Sequence, residues 1–171
     1  QKKENMKISQ GFGLIKSHSS YVAISNNWFT NSSNTAGYIY IIRDPRDVAI
    51  SWAKHANLTY DDSINFMLDF NSCIEWAQTN SELPENIKPR CFLSSWDEHV
   101  SSWTSNDLLV PKLILKYEDI VYKKKDVLDD IVNFFEKNFH INFNLTKIKA
   151  NNIIETTDFQ ELKSQERKFG F

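Results

Sequence analysis

Short apolar runs alternate with amphipathic stretches along the chain. Tyr38–Ile42 is a continuous run of aromatic and β-branched residues, which is typical of a strand buried on both faces of a parallel sheet. Leu113–Leu115 and Phe12–Ile15 are shorter apolar runs that also predict strands. Because predicted strands alternate with predicted helices, we expect an α/β fold with a three-layer, doubly wound and mostly parallel sheet.

Polar residues with capping roles mark where the predicted helices begin. Asp44 supplies an N-cap and is followed by a first-turn proline, so a helix should run over Pro45–His55. Apolar residues at helical spacing predict two further helices, from Asp61 to about Thr79 and over Asp126–Phe139. Ser95–Glu98 fits a capping box, which predicts another helix start.

The composition is that of an ordinary globular domain. The 171 residues are 41% hydrophobic and 25% charged, and we expect residues 1–171 to form one partial domain. The net charge of -2 argues against bulk electrostatic binding of nucleic acid. No apolar run approaches the roughly 20 residues that span a membrane. Cys73 and Cys91 lack the spacing of a metal or redox site, which favours a reduced, cytoplasmic compartment and no metal cofactor.

A candidate anion site follows the strongest predicted strand. Arg43 stands at the carboxyl end of that strand, where ligands of open α/β sheets bind. The helix that starts at Pro45 offers unpaired backbone N–H groups and a partial positive charge. The hydroxyl of Ser51, near the second turn, could donate to the same anion. A surface arginine near a turn and an ordinary helical serine would explain the same residues.

A candidate acid–base pair lies in the loop after the first predicted strand. Lys16 and His18 are two residues apart, so in extended backbone their side chains point to the same side. A histidine can act as general base on an alcohol, and a nearby ammonium can stabilise charge on a leaving phosphate. Alternatively, Lys16 and His18 are two surface loop residues with no shared role.

Four segments resemble the cytosolic-type sulfotransferases that use PAPS (3′-phosphoadenylyl sulfate) as donor. Tyr40–Ser51 is similar to their 3′-phosphate-binding motif, and Leu14–His18 to their Lys-Thr-His element, with Ser17 in place of the usual Thr. Ser95–Trp103 resembles their Ser-Trp-x-x-His-Val-x-x-Trp segment, and Thr157–Leu162 their Thr-Ser-Phe-x-x-Met/Leu segment. The resemblance implies a P-loop-NTPase-like sulfotransferase fold and transfer of a sulfuryl group from PAPS to a hydroxyl or amine.

The resemblance also implies roles for individual residues. Arg43 and Ser51 would bind the 3′-phosphate of the donor. His18 would deprotonate the acceptor hydroxyl, while Lys16 would help to stabilise the transferring group and the leaving phosphate.

Further implications concern the adenosine and the extent of the domain. Thr157 and Phe159 would lie against the adenosine, and His99 would take part in packing and hydrogen bonding near the nucleotide. The family's phosphosulfate loop, of the type Pro-Lys-Ser-Gly-Thr-Thr-Trp, has no counterpart, and the chain ends before the final Arg-x-Gly-rich loop. We therefore expect a domain truncated at both ends, with its natural start before Gln1, that does not transfer sulfate by itself.

Two other functions remain open at this point. A noncatalytic remnant that binds PAP or another nucleotide would also lack the phosphosulfate loop. A Golgi-type carbohydrate sulfotransferase would fit the glycosylation sequons at Asn31, Asn57 and Asn144. The His-Val-Ser-Ser-Trp element (His99–Trp103) and the Tyr-Glu-Asp element (Tyr117–Asp119) resemble the cytosolic type and favour it. These motifs do not determine the acceptor, a small molecule or a carbohydrate, or the oligomeric state.

Overall fold

The computed structural model describes residues 13–74, 90–105 and 107–170 in full and residues 6, 7 and 75 by their backbone. These residues form two compact units, which we call the first unit (Gln1–Asn31 with Val48–Leu108) and the second unit (Ser32–Asp47 with Leu109–Phe171). That residues 1–171 form a single domain stays a prediction. The elements of the described residues are β1 (Met6–Lys7), β2 (Gly13–Leu14), β3 (Ala23–Ile24), β4 (Asn27–Trp28), β5 (Tyr38–Ile42), α1 (Pro45–Ala56), α2 (Tyr60–Leu68), β6 (Cys73–Glu75), β7 (Arg90–Phe92), α3 (Trp96–Thr104), β8 (Lys112–Lys116), α4 (Tyr117–Tyr122), α5 (Lys124–Phe139), α6 (Lys147–Thr156) and α7 (Phe159–Phe169).

The second unit is built on a parallel pair of strands. β5 and β8 pair in register from Tyr38 opposite Lys112 to Ile42 opposite Lys116. α5 packs against β8, and burial raises the pKa of the Tyr40 phenol to about 12. β5 lies where the sequence predicted a strand, but it is not buried on both faces as expected. Residues 39 and 41 are 36% and 53% exposed, so among the described residues β5 alternates between a covered and an open face.

An aromatic cluster anchors α5 in the second unit. The Phe134 ring lies edge-on to the rings of Phe135 and Phe139, each with centroids 5.6 Å apart. Phe143, in the loop after α5, extends the cluster through an edge contact with Phe135 at 5.6 Å. Edge-to-face packing is the preferred geometry for aromatic rings and adds to the stabilisation from buried area.

Gly37 precedes β5 at a position that has no room for a side chain. A Cβ atom there would lie 2.6 Å from Phe139 Cζ and 2.9 Å from the backbone oxygen of Pro111. That oxygen accepts the Tyr38 N–H at 3.1 Å, so the clash would disturb the start of the parallel pair. We expect Gly37→Ala to lower the free energy of unfolding by about 1–3 kcal/mol, as overpacking does.

Urea denaturation of the full-length gene product measures this effect. Gly13→Ala is the matched control, because no heavy atom lies within 4 Å of a Cβ at that position. We expect the control to change stability by less than about 0.5 kcal/mol, the usual size of a surface effect. Equal losses in the two variants would contradict the steric argument.

The described residues of the first unit form three antiparallel strand pairs: β1 with β2, β3 with β4, and β6 with β7. The β3–β4 hairpin turns through residues 25 and 26, whose φ angles of 51° and 66° match a type I′ turn. This turn brings the ring of Tyr21 onto Trp28, with centroids 5.0 Å apart. Trp103 packs on Tyr21 at 5.5 Å and on Phe29 at 6.1 Å. The hairpin and α3 therefore share one aromatic cluster.

The helix expected from Asp61 to Thr79 is shorter in the structure. α2 ends at Leu68 and the chain enters β6 at Cys73, so the prediction was wrong beyond Leu68, while residues 76–79 lie outside the described residues. Asp69 has extended backbone (φ −82°, ψ 122°), which stops the helix. Ile74, which continues the helical spacing, lies instead in the antiparallel pairing of β6 with β7, opposite Cys91.

Most other predicted elements agree with the structure within a few residues. The strand at Leu113–Leu115 lies inside β8, the helix from Pro45 is α1, and the helix at Asp126–Phe139 lies inside α5. Of the strand predicted at Phe12–Ile15, Gly13–Leu14 is β2 and Ile15 follows its end, while Phe12 lies outside the described residues. No helix in the described part of the chain is long and apolar enough to cross a membrane.

Cys73 and Cys91 are far apart in sequence but lie on neighbouring strands of the first unit. The register places Cys73 opposite Phe92 and Cys91 opposite Ile74. Adjacent positions in a strand pair point to opposite faces of the sheet, whereas a disulfide needs facing Cβ atoms. Both cysteines are free thiols.

Candidate active site

The segment after β5 forms a capped helix start in the second unit. The Asp44 carboxylate accepts the backbone N–H of Arg46 at 2.9 Å and the guanidinium of the same residue at 2.9 and 2.5 Å. These hydrogen bonds lower the pKa of Asp44 to about 2. The Asp44 N–H donates to Glu118 Oε1 at 3.4 Å, which links the helix start to α4. The predicted N-cap at Asp44 is therefore present.

Arg43 lies between the end of β5 and the start of α1, and its charge is only partly satisfied. Its guanidinium carbon is 4.4 Å from the centroid of the Tyr117 ring. Its Nη2 atom is 3.7 Å from Asp47 Oδ2, longer than the 2.7–2.9 Å of a strong charge-assisted hydrogen bond. Its Nε atom is buried and has no hydrogen-bond partner among the described residues. A buried guanidinium N–H without a partner is costly and is available to an anion.

Ser51 lies on the helix that begins after Arg43, in the part of that helix that belongs to the first unit. It belongs to α1 and its side chain is exposed. Arg43 belongs to the second unit, so each of the two residues is placed by the fold of its own unit. The spacing of eight residues along the chain is the feature that relates them.

Lys16 and His18 lie in irregular backbone that follows β2 in the first unit. Both residues are exposed. Shielding of the His18 ring from solvent lowers its pKa, and the positive charge of Lys16 lowers it further. The imidazole is therefore neutral at pH 7 and able to accept a proton, as a general base requires.

The backbone of the His18 loop is held by side chains of α3. His99 Nε2 lies 3.1 Å from the carbonyl oxygen of His18, and Trp103 Nε1–H donates to the carbonyl of Ser19 at 3.0 Å. The N–H of Tyr21 donates to Ser102 Oγ at 3.0 Å. From sequence we expected His99 near the nucleotide, whereas in the structure its Nε2 atom contacts the backbone of the candidate base. Sequence reasoning missed this arrangement, although the spacing of residues 99, 102 and 103 places them on one helical face.

α3 begins where the sequence predicted, with Trp96 as its first residue and Ser95 as N-cap. The Ser95 side chain makes no capping hydrogen bond, so the capping box is not formed as expected. Ser95 is buried, and its hydroxyl oxygen has no hydrogen-bond partner among the described residues.

The two adenosine candidates lie at the junction of α6 and α7 in the second unit. Thr157 is the C-cap of α6 and its Oγ1–H donates to the carbonyl of Ile153 at 2.6 Å. Phe159 is the first residue of α7, and half of its surface is exposed, which leaves ring area for stacking. Asp158 caps α7 and binds Lys124 Nζ at 2.7 Å, so the junction is tied to α5.

Lys124 is more buried than its neighbours in the lysine run 123–125. Its ion pair with Asp158 leaves its side chain 17% exposed. An open cavity of about 810 Å³ lies beside this pair, and none of the predicted site residues lines it.

No group of three or more His, Cys, Asp or Glu residues in the described part of the chain could hold a metal ion.

Comparison with known proteins identifies the family. Residues 1–169 match the family profile described as "Sulfotransferase domain". The chain is 30% identical over 133 residues to Sulfotransferase 2A1 of Mus musculus, covering 75% of this chain and 40% of that protein. It is 26% identical over 135 residues to 3-alpha-hydroxysteroid sulfotransferase of Cavia porcellus, covering 78% and 41%.

A solved structure gives the same fold. Mouse sulfotransferase SULT7A1 complexed with PAP superposes with a TM-score of 0.55 at 22% identity, covering 78% of this chain and 42% of that one. The chain thus spans about two fifths of the length of these relatives. The predicted α/β class is confirmed, and the chain belongs to the sulfotransferase domain family.

Proposed function

We propose that the protein containing this chain transfers the sulfuryl group of PAPS to a hydroxyl or amine of an acceptor, giving PAP and a sulfated product. Membership of the sulfotransferase family supports the reaction class. The observation that carries the proposal is the buried, unpartnered Nε of Arg43 at the carboxyl end of β5. A phosphate group is the ligand that best satisfies a guanidinium at such a position.

Arg43 is the main ligand of the 3′-phosphate in this proposal. The cation–π contact with the Tyr117 ring restrains the Arg43 side chain, so less entropy is lost when the phosphate binds. The contact with Asp47 is long and exposed, and a doubly charged phosphate would displace it. The N-terminus of α1 adds backbone N–H groups, and the Ser51 hydroxyl adds one further donor.

His18 and Lys16 carry the chemical step. The neutral imidazole of His18 takes the proton of the acceptor hydroxyl as its oxygen attacks the sulfur atom. The bond between sulfur and the bridging oxygen of the 5′-phosphate breaks, and PAP leaves with the electron pair. The Lys16 ammonium stabilises the charge that develops on the transferring group and on this phosphate. The proton on His18 then passes to solvent, which restores the base.

Thr157 and Phe159 contact the adenosine in the same proposal. The exposed ring of Phe159 can cover one side of the nucleotide, because aromatic rings gain both buried area and offset stacking.

For the acceptor, we favour a small-molecule alcohol over a carbohydrate. A hydroxysteroid is the first acceptor to test, since one relative is named 3-alpha-hydroxysteroid sulfotransferase. We propose a cytoplasmic setting, as the two free thiols suggest.

The donor site is tested with Arg43→Ala in the full-length gene product. We expect PAP to bind about 10–150-fold more weakly, which corresponds to a loss of about 1.5–3 kcal/mol for hydrogen bonds to a charged group. Affinity for adenosine 5′-phosphate, which lacks the 3′-phosphate, should not change. Calorimetric titration of both nucleotides gives the two affinities.

Arg46→Ala is the matched control for this experiment. It removes the same charge from the same helix start, but the Arg46 side chain is 86% exposed and paired with Asp44. We expect its PAP affinity to stay within about threefold of the parent, the scale of an exposed ion pair. If Arg43→Ala still distinguished PAP from adenosine 5′-phosphate as well as the parent does, the assignment of Arg43 would be wrong. PAP binding without turnover on any acceptor would instead favour a noncatalytic nucleotide-binding protein.

A further inference from the structure

Four consecutive residues around the candidate base are anchored one by one. The carbonyls of His18 and Ser19 face His99 Nε2 and Trp103 Nε1–H at 3.1 and 3.0 Å. The N–H of Ser20 donates to the carbonyl of residue 92 at 2.8 Å, and its hydroxyl donates to the same oxygen at 3.0 Å. The N–H of Tyr21 donates to the side chain of residue 102 at 3.0 Å. We call residues 18–21 the anchored loop.

These contacts replace the hydrogen bonds that a strand or helix would supply. The anchored loop has no regular secondary structure, so its backbone groups need other partners where they are shielded from water. α3 supplies three of them from one face, since His99, Ser102 and Trp103 stand at positions i, i+3 and i+4. Ser20 and Trp103 are 1% and 9% exposed, so the inner side of the loop lies in the interior of the first unit.

The contact of His99 bears directly on the direction of the His18 side chain. A carbonyl oxygen can only accept, so His99 Nε2 carries a proton and donates. This hydrogen bond holds the peptide plane between residues 18 and 19. Because that plane is joined to the His18 Cα atom, it restrains the direction of the Cα–Cβ bond. His18 is an exposed residue, so an acceptor can approach its side chain.

We propose that His99 is a positioning residue for His18: by donating Nε2–H to the His18 carbonyl, it fixes the anchored loop and aims the general base. The inference rests on the proposed function for its effect on turnover. His99 touches neither acceptor nor donor in this role. Its effect is geometric, and a displacement of about 1 Å at a reacting group can cost about 100-fold in rate.

Two substitutions of His99 separate the hydrogen bond from the bulk of the ring. In the full-length gene product, His99→Ala should lower kcat about 10–100-fold, with PAP affinity and the KM for PAPS unchanged. His99→Gln keeps an N–H donor at a similar distance from the backbone, and glutamine is well tolerated in helices. This variant should therefore recover most of the lost kcat. His55→Ala is the control, because His55 is exposed at the end of α1 and should leave kcat as it is.

Amide hydrogen exchange tests the anchoring without reference to activity. Loss of one hydrogen bond should speed exchange of peptides covering residues 18–21 by roughly 2–10-fold in His99→Ala and much less in His99→Gln. If the unsubstituted protein shows no turnover, the proposed function is wrong. The exchange rates would then still decide whether His99 holds the anchored loop. The inference fails if exchange in residues 18–21 is unchanged in His99→Ala. It also fails if exchange rises without a fall in kcat, if Gln is as poor as Ala, or if PAP affinity falls together with kcat.

Discussion

Replacing His18 by Gln should lower kcat about 100–10,000-fold in the full-length protein, while PAP affinity stays nearly unchanged. This range is the usual contribution of a positioned general base. The physical reason for the separation is that, in the proposed function, His18 acts on the acceptor hydroxyl and Arg43 binds the donor phosphate. Glutamine retains hydrogen-bonding capacity and similar size but cannot take up the proton.

The pH dependence of kcat/KM provides the second readout for His18. Because shielding and the charge of Lys16 lower the pKa of His18, the neutral base persists below pH 6.5. The acid limb of the parent profile should therefore lie below pH 6.5 and should disappear in His18→Gln. His55→Gln is the matched control and should keep both rate and profile. A loss of PAP affinity without a loss of kcat would place His18 among the binding residues and contradict the catalytic role.

Replacing Phe134 by Ala should remove about 3–5 kcal/mol from the free energy of unfolding, the usual loss for a buried aromatic side chain. The Phe134 ring is 8% exposed and meets the rings of Phe135 and Phe139 at 5.6 Å each. Truncation leaves a cavity beneath α5 and removes both edge contacts, and the surrounding backbone of a helix cannot collapse to fill it.

Phe169→Ala is the control for this stability measurement. The Phe169 side chain is 83% exposed at the end of α7, so its removal should change stability by no more than about 0.5 kcal/mol. Urea denaturation curves followed by far-ultraviolet circular dichroism give both values. Similar midpoints for Phe134→Ala and Phe169→Ala would show that the phenylalanine cluster does not carry the stability of the second unit.

Local signals in the sequence predicted several elements that the structure contains. The apolar run at Tyr38–Ile42 is β5, and the capping residue Asp44 with the following proline marks the start of α1. The amphipathic stretch that ends at Phe139 is α5. These elements were predictable because their information lies within a few residues: capping oxygens, a fixed proline φ, and apolar residues at one period.

The family resemblance was likewise carried by the sequence and is confirmed by the family match. The residues that it assigns to the donor and the acceptor are proposals for the experiments above. The structure adds local detail to them, such as the unpartnered Nε of Arg43 and the exposed ring of Phe159.

The tertiary structure alone decided features that join distant parts of the chain. The helix predicted through Thr79 gives way to β6, because the partner strand β7 supplies backbone hydrogen bonds that a local pattern does not contain. His99 meets His18 across 81 residues of sequence, and Trp103 meets Ser19 across 84. The sequence by itself determined where several regular elements begin, and it predicted which residues bind phosphate or move a proton. Only the packed chain decided which of their polar groups are already satisfied, because a buried donor or acceptor is satisfied by whichever group the fold brings within hydrogen-bonding distance.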